Sequence, residues 1–113
     1  MRASVLMGSP RREGNTAALL SVFLEEWEAM GHSARVIHLY EREVLPCRGC
    51  MVCQDCLDGL GCVQRDEFAE IFQEMADSDV ILFATPIYAW YCTAPMKALM
   101  DRAIYAGVKN YGR

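Results

Sequence analysis

Ala3-Ser4-Val5-Leu6-Met7-Gly8-Ser9-Pro10-Arg11-Arg12-Glu13-Gly14-Asn15-Thr16 is an apolar run that ends at a glycine, crosses a short polar loop and enters a segment of helical period. Ala3 to Met7 reads as a short buried strand. Thr16 to Met30 carries Leu19, Leu20, Phe23, Leu24, Trp27 and Met30 at the spacing of one helix face. A loop that leaves a strand and feeds a helix N-terminus suits an anion, because the first backbone N–H groups of the helix are unpaired and the positive end of its dipole faces the loop. Ser9, Asn15 and Thr16 add short donors, Arg11 or Arg12 adds charge, and Gly8 and Gly14 allow close backbone approach. The spacing has no G-x-G-x-x-G and no terminal Gly-Lys-Ser/Thr, which sets aside the dinucleotide and nucleoside-triphosphate loops. The plainer alternative is a strand-to-helix turn in which Asn15 or Thr16 merely caps the helix.

Outward from this stretch, Gly31 breaks the helical period and Ala34 to Leu39 alternates as a second strand, nearer a sheet edge than the first. Tyr40 to Arg65 keeps no sustained period and holds Pro46, three glycines and five of the six cysteines. Aperiodic segments of that length in compact domains are usually functional. Asp66 is placed to cap a helix with Phe68, Ile71, Phe72 and Met75 on one face, and Val80 to Ala84 is a continuous apolar run of the kind found in central parallel strands. A third helix follows Thr93-Ala94-Pro95, with Met96, Leu99, Met100, Ala103 and Ile104 as its buried stripe. Strand alternating with helix predicts an α/β fold with an open parallel sheet and helices on both faces.

The 113 residues form one expected domain, and an apolar fraction of 53% is ample for a folded core. A formal charge of −4 with scattered basic residues argues against nucleic acid as a partner. No apolar stretch reaches the roughly 20 residues of a membrane span, and no signal peptide precedes the first strand, so the expected location is cytoplasmic. In that setting the cysteines are expected to be metal ligands, redox groups or free thiols rather than a disulfide framework.

Two further stretches carry chemistry. In an open parallel sheet, ligands collect at the carboxyl ends of the strands, so Ser9 to Thr16 and Thr85 to Thr93 are expected to face one site. Thr85-Pro86-Ile87-Tyr88-Ala89-Trp90-Tyr91 is rich in planar side chains and suits a flat heteroaromatic ring such as a flavin, although Tyr88, Trp90 and Tyr91 would equally pack a subunit interface or cap the core. Cys47, Cys50, Cys53 and Cys56 recur every three residues and Cys62 follows. Four thiolates so spaced can wrap a [4Fe-4S] cluster; free or redox-active thiols and structural zinc are the other uses left open. Cys92 reads as a packing residue, and His32 and His38 are too isolated for metal ligation.

Over almost its whole length the chain resembles the NAD(P)H-dependent FMN reductase and iron-sulfur flavoprotein branch of the flavodoxin-like superfamily. The likeness rests on Gly8-Ser9-Pro10-Arg11 with Gly14-Asn15-Thr16, Pro46-Cys47 with Gly49-Cys50 and Cys53, Gly61-Cys62-Val63 before Asp66, and Thr85-Pro86-Ile87-Tyr88 with Met96-Lys97 and Asp101-Arg102. It implies an FMN whose phosphate is taken by Ser9, Arg11, Gly14, Asn15 and Thr16 and whose ring lies against Pro86, Ile87, Tyr88 and Ala89. It also implies Cys47, Cys50 and Cys53 as three cluster ligands with a fourth at Cys56 or Cys62, and Asp101 with Arg102 as a structural ion pair or interface contact. The implied activity is transfer of electrons from NAD(P)H through FMN to a small acceptor. The alternative is an electron carrier with a ferredoxin-like partner, and a third reading, independent of the resemblance, is a zinc-stabilised interaction module. The family implies a homodimer or homotetramer. Its sheet normally has five strands and this chain supplies three, so the third strand is expected to have an open edge and the chain to be a fragment, a truncated product or a subunit completed by another chain.

Overall fold

The alternating periods fold as β1 (Arg2–Met7), α1 (Asn15–Ala29), β2 (Ser33–His38), α2 (Phe68–Asp77), β3 (Val80–Ala84) and α3 (Ala94–Gly107) in a computed structural model that describes residues 1–109. Two single turns of 3₁₀ helix, Leu39–Glu41 and Val52–Asp55, lie in the long connection from β2 to α2. The strands form one parallel sheet in the order β2-β1-β3, with Ser4 in register with both Arg35 and Ile81. The architecture is flavodoxin-like.

β1 is apolar throughout because both its faces are covered. Val5 and Met7 pack with Leu20, Phe23 and Leu24 of α1, whereas Leu6 joins Ile37, Phe68, Ile71, Met96 and Leu99 under α2 and α3. Each fully buried Leu or Ile there contributes about 1.5–3 kcal/mol through removal from water. Ser4 is the polar exception in the strand, and its hydroxyl donates to the Glu74 carbonyl at 3.0 Å. Glu74 also pairs with Arg2 and Arg35, which ties α2 to β1 and β2. The histidines are absorbed by local contacts: His32 packs on Trp27 and accepts from the N-terminal amine, and His38 lies beside Arg12 and Glu41.

Among the described strands β3 has a neighbour only on its β1 side and leaves Phe83 47% exposed, the open edge expected of the third strand. Several sequence expectations are corrected. On α1, Leu19 is 75% exposed and Met30 is exposed beyond the helix end, so the buried stripe reduces to Leu20, Phe23, Leu24 and Trp27. On α3, Ile104 is exposed and its place in the buried stripe is taken by Arg102 and Ala106. Asp101 and Arg102 do not pair, since neighbours on a helix do not face each other; Lys97 bonds Asp101, and Arg102 reaches Asp66 instead. Strand β2 ends at His38, and Leu39 turns into the core.

The closest approach in the fold is where β1 and β3 end. Gly8 N–H donates to the Ala84 carbonyl at 2.7 Å, and the Thr93 hydroxyl donates to the Gly8 carbonyl at 2.6 Å. A Cβ at position 8 would lie 2.9 Å from the Thr93 hydroxyl and 3.0 Å from the Met96 methyl, so only glycine fits. Thr93 therefore stands at the N-cap of α3 without capping it, its hydroxyl spent on the other loop. Replacing Thr93 by Val keeps the shape and leaves the buried Gly8 carbonyl without its donor. The expected loss is about 1–3 kcal/mol in chemical denaturation; a variant as stable as the parent would show that this bond does not hold the two loops together.

Candidate functional site

All three strands are parallel, so the loops that follow β1, β2 and β3 leave one edge of the sheet. In the first loop Ser9 is buried and its Oγ accepts from Arg11 N–H at 3.1 Å. Arg11 lies along Gly14, where an added Cβ would meet its side chain at 3.4 Å. The two arginines separate here: Arg12 pairs with Glu41 at 2.5 Å, whereas Arg11 makes no ion pair among the described residues. Helix α1 begins at Asn15, and its N-cap is Gly14, with no side-chain cap and no acidic residue in the first turn. Neither Asn15 nor Thr16 is the cap, contrary to the plainer expectation. The first-turn N–H groups, two short polar side chains and a free guanidinium thus share one turn, an arrangement that favours a phosphate.

The loop after β3 is a tight hairpin. Tyr88 and Tyr91 exchange both backbone hydrogen bonds, at 2.8 and 3.1 Å, across Ala89 (φ 48°) and Trp90 (φ 74°). Positive φ at both central residues is the type I′ turn, which normally takes Asn or Gly. Ala and Trp in these positions hold strained backbone. Trp90 is 98% exposed and Ile87, Tyr88 and Tyr91 are exposed too, so none of them caps the core. A groove of about 380 Å³ between α1 and β3 has Asn15, Thr16 and Thr85 among its lining and Leu19, Phe23, Leu82 and Phe83 as its apolar wall. Its size is that of a small-ligand cleft.

The cysteines lie elsewhere, against the second half of α3. Cys47, Cys50, Cys53 and Cys62 line one pocket together with Arg102 and Tyr105, and Cys56 does not. The contacts of the sulfurs divide them in the same way. Cys47 accepts from Gly49 N–H at 3.4 Å, Cys53 from the Gln54 amide at 3.8 Å and Cys62 from Arg102 Nη2 at 3.3 Å. Cys56 instead donates to the Asp58 carboxylate at 3.8 Å. Cys62 is brought back by Gly61, whose φ of +78° and close approach to Cys56, where a Cβ would stand 2.5 Å from the Cys56 Cβ, admit no side chain. The cavity between the thiols is about 20 Å³, room for one water. Among the described residues no three Cys, His, Asp or Glu side chains gather closely enough to share one metal ion, so the thiols surround the pocket rather than converge on a point. Cys92 packs against the core.

The loop is pinned by Asp66 and Arg102, both fully buried and 2.5 Å apart. Asp66 accepts also from the N–H groups of Leu45 and Phe68, and Arg102 donates to the Leu45 and Gln64 carbonyls. Phe68 lies under the guanidinium at 4.4 Å. Burial works against the Asp66 carboxylate, but the hydrogen bonds from Arg102, Leu45 and Phe68 and the Arg102 charge outweigh it and hold the carboxyl below its ordinary value.

Three parallel strands in the order β2-β1-β3, joined through helices, place the molecule in a class: flavodoxin-like α/β domains. Within that class the chain belongs to the NADPH-dependent FMN reductase family, which it matches over residues 1–112. It is 37% identical over 111 residues to an iron-sulfur flavoprotein of Archaeoglobus fulgidus, covering 98% of this chain and 53% of the relative. An iron-sulfur flavoprotein of Methanosarcina thermophila is 32% identical over 111 residues, covering 98% and 56%. The chain thus spans about half the length of these curated relatives. Its fold is shared with an NAD(P)H:quinone oxidoreductase from Methanothermobacter marburgensis, with a TM-score of 0.73, 21% identity and coverage of 90% of this chain and 52% of that one. It is shared also with RosB bound to 8-demethyl-8-formylriboflavin-5'-phosphate, with a TM-score of 0.71, 20% identity and coverage of 92% and 42%.

Because the Asp66 carboxyl titrates lower in the folded chain than in the unfolded one, its contribution is complete above about pH 3.9, the ordinary aspartate value, and is lost as pH falls through the depressed folded value. Arg102 stays charged throughout. Asp66→Asn is expected to cost about 3–5 kcal/mol at pH 7, because it leaves a buried guanidinium unpaired. The stability gap to the parent should narrow on acidification below pH 4. A gap independent of pH would remove this ion pair from the account.

Proposed function

We propose that this chain carries the FMN site and the cluster site of a flavin-dependent oxidoreductase of the iron-sulfur flavoprotein kind. The observation that carries this reading is the division of the cysteines: four line one pocket, three of these accept N–H hydrogen bonds, and Cys56 turns to a carboxylate. That donor set suits thiolate ligands of a [4Fe-4S] cluster, with Cys62 as the fourth, and the names of the relatives support it. The α1 N-terminus supports an FMN phosphate held by Ser9, Arg11, Gly14, Asn15 and Thr16, with the ring against Pro86, Ile87, Tyr88 and Ala89.

When bound, FMN would supply two-electron chemistry with NAD(P)H and the cluster one-electron transfer. Arg11 and the first-turn N–H groups would hold the dianionic phosphate, and the Tyr88–Tyr91 hairpin would fix the ring-facing backbone of Pro86 to Ala89. Gly49, Gln54 and Arg102 would stabilise thiolate charge through N–H donation. The electron acceptor is proposed to be a quinone, a free flavin or another small molecule, with a ferredoxin-like protein as the alternative exchange partner. The exposed Trp90 turn supports a homodimer or homotetramer. Six free thiols support a cytoplasmic setting. The small cavity of about 20 Å³ favours a second reading, an FMN reductase whose thiols carry no cluster.

The visible spectrum of the anaerobically purified protein, with iron and acid-labile sulfide assayed on the same sample, separates the two. Flavin bands with stoichiometric iron and sulfide are expected; flavin bands alone would establish the second reading, and no chromophore after FMN addition would contradict both. For the phosphate site, Arg11→Ala should weaken FMN binding at least tenfold in a fluorescence titration, the loss of one charge-assisted contact of about 1.5–3 kcal/mol. Arg12→Ala, which breaks only the pair with Glu41, should change it little. Equal effects of the two would contradict the assignment of Arg11.

A further inference from the structure

Cys56 is the one cysteine of the long connection that does not line the cysteine pocket, and it does not pack against the core as Cys53 and Cys62 do. Its backbone lies instead beside Cys53. The 3₁₀ turn Val52–Asp55 contains Cys53, and Cys56 follows the turn directly, its N–H donating to the Cys53 carbonyl at 3.3 Å. A turn closed in this way keeps its first and fourth Cα atoms within about 7 Å, and disulfides form across Cα separations of about 4.4–6.8 Å. Gly61 packs against both residues: a Cβ there would lie 3.1 Å from Cys53 Cα and 2.5 Å from Cys56 Cβ. Cys47 with Cys50, and Cys50 with Cys53, have the same spacing in sequence, but neither pair is closed by such a bond among the described residues, and Met51 at φ 64° interrupts the second. Cys53 and Cys56 are both half-buried free thiols. The Cys56 thiol is held only by its contact with Asp58 at 3.8 Å, and a thiol is a weak donor, so rotation of the side chains suffices to bring the two sulfurs together.

We propose that Cys53 and Cys56 form a reversible disulfide, a redox switch whose oxidised form takes Cys53 out of the set that lines the pocket with Cys47, Cys50 and Cys62. It does not rest on the cluster reading. The oxidant is a low-molecular-weight disulfide. The Cys56 sulfur attacks one of its two sulfurs, the S–S bond of the small molecule breaks, and one small thiol leaves as the mixed disulfide forms. The Cys53 sulfur then attacks the Cys56 sulfur, the second small thiol leaves, and the Cys53–Cys56 bond closes. Two electrons pass from the cysteine pair to the small disulfide, and the two cysteine protons end on the two released thiols.

The test titrates the full chain, treated with a chelator, in glutathione buffers of rising oxidised fraction, then alkylates the remaining thiols and measures the protein mass. The first two of the six thiols are expected to disappear together and to return with dithiothreitol. Proteolysis before Asp55 and Asp58 puts Cys53, Cys56 and Cys62 on three separate peptides, and the expected link joins the first two. The link should be lost in Cys53→Ser and kept in Cys50→Ser. A Cys56 linked to Cys62, a link that survives Cys53→Ser, or a chain that keeps all six thiols at the oxidising end of the titration overturns the proposal. Should a variant fail to fold, fragmentation of the linked peptide from the parent decides: a partner at Cys53 supports the switch, and a partner at Cys47 or Cys50 overturns it.

Discussion

The buried pair of Asp66 and Arg102 is the interaction on which the arrangement of the cysteines depends. It joins the two ends of the long connection, through Leu45 at one side and Gln64 and Asp66 at the other, to the middle of α3. The Asp66 carboxylate also accepts from the first turn of α2, so the helix start and the end of the loop are fixed by one group. A buried ion pair adds little net stability over a well-packed apolar pair, and its value lies in geometry: neither partner can be lost without stranding the other. The loop between those ends is closed further by Gln54, whose amide donates to the Tyr105 and Val108 carbonyls at the end of α3, and by Lys109, which donates to the Cys53 and Leu60 carbonyls.

Helix α3 thereby serves both regions of interest. Its N-terminus is held to the phosphate-type loop by Thr93 and Gly8, and Arg102 lies nine residues further on, about 14 Å along the helix at 1.5 Å per residue. A rigid helix sets that separation, which gives the proposed flavin and cluster sites a fixed relation through one element rather than through loops. The strain in the Tyr88–Tyr91 turn belongs to the same design. Non-glycine residues with positive φ persist only where the surroundings enforce them, and here the turn is stitched by two backbone hydrogen bonds next to the loop anchored at Thr85 and Thr93.

Much of this was legible in the chain. The continuous apolar run Ala3–Met7 followed by a polar loop and a 3.6-residue period predicted β1, the first loop and α1, because burial on both faces leaves few other readings. The separation of Arg11 from Arg12 was not legible, since it depends on Glu41, which only the fold brings near. The Arg102 partner was misread for the same reason: its neighbour Asp101 was available in sequence, whereas Asp66 lies 36 residues away and meets it only when α3 packs under the loop. Two signals could have resolved the cysteines, namely Asp58 two residues past Cys56 and Gly61 immediately before Cys62. Val80–Ala84 has the composition of a strand buried on both sides, and its open edge among the described residues follows from a sheet of three strands in place of five.

The central claim is that folding, through Gly61, Arg102 and Asp66, chooses Cys62 over Cys56 to complete the set with Cys47, Cys50 and Cys53. Iron and sulfide content of Cys56→Ser and Cys62→Ser, purified anaerobically beside the parent, measures that choice directly. The account predicts that Cys56→Ser keeps the parent's content and Cys62→Ser loses most of it. The reverse pattern would contradict the account.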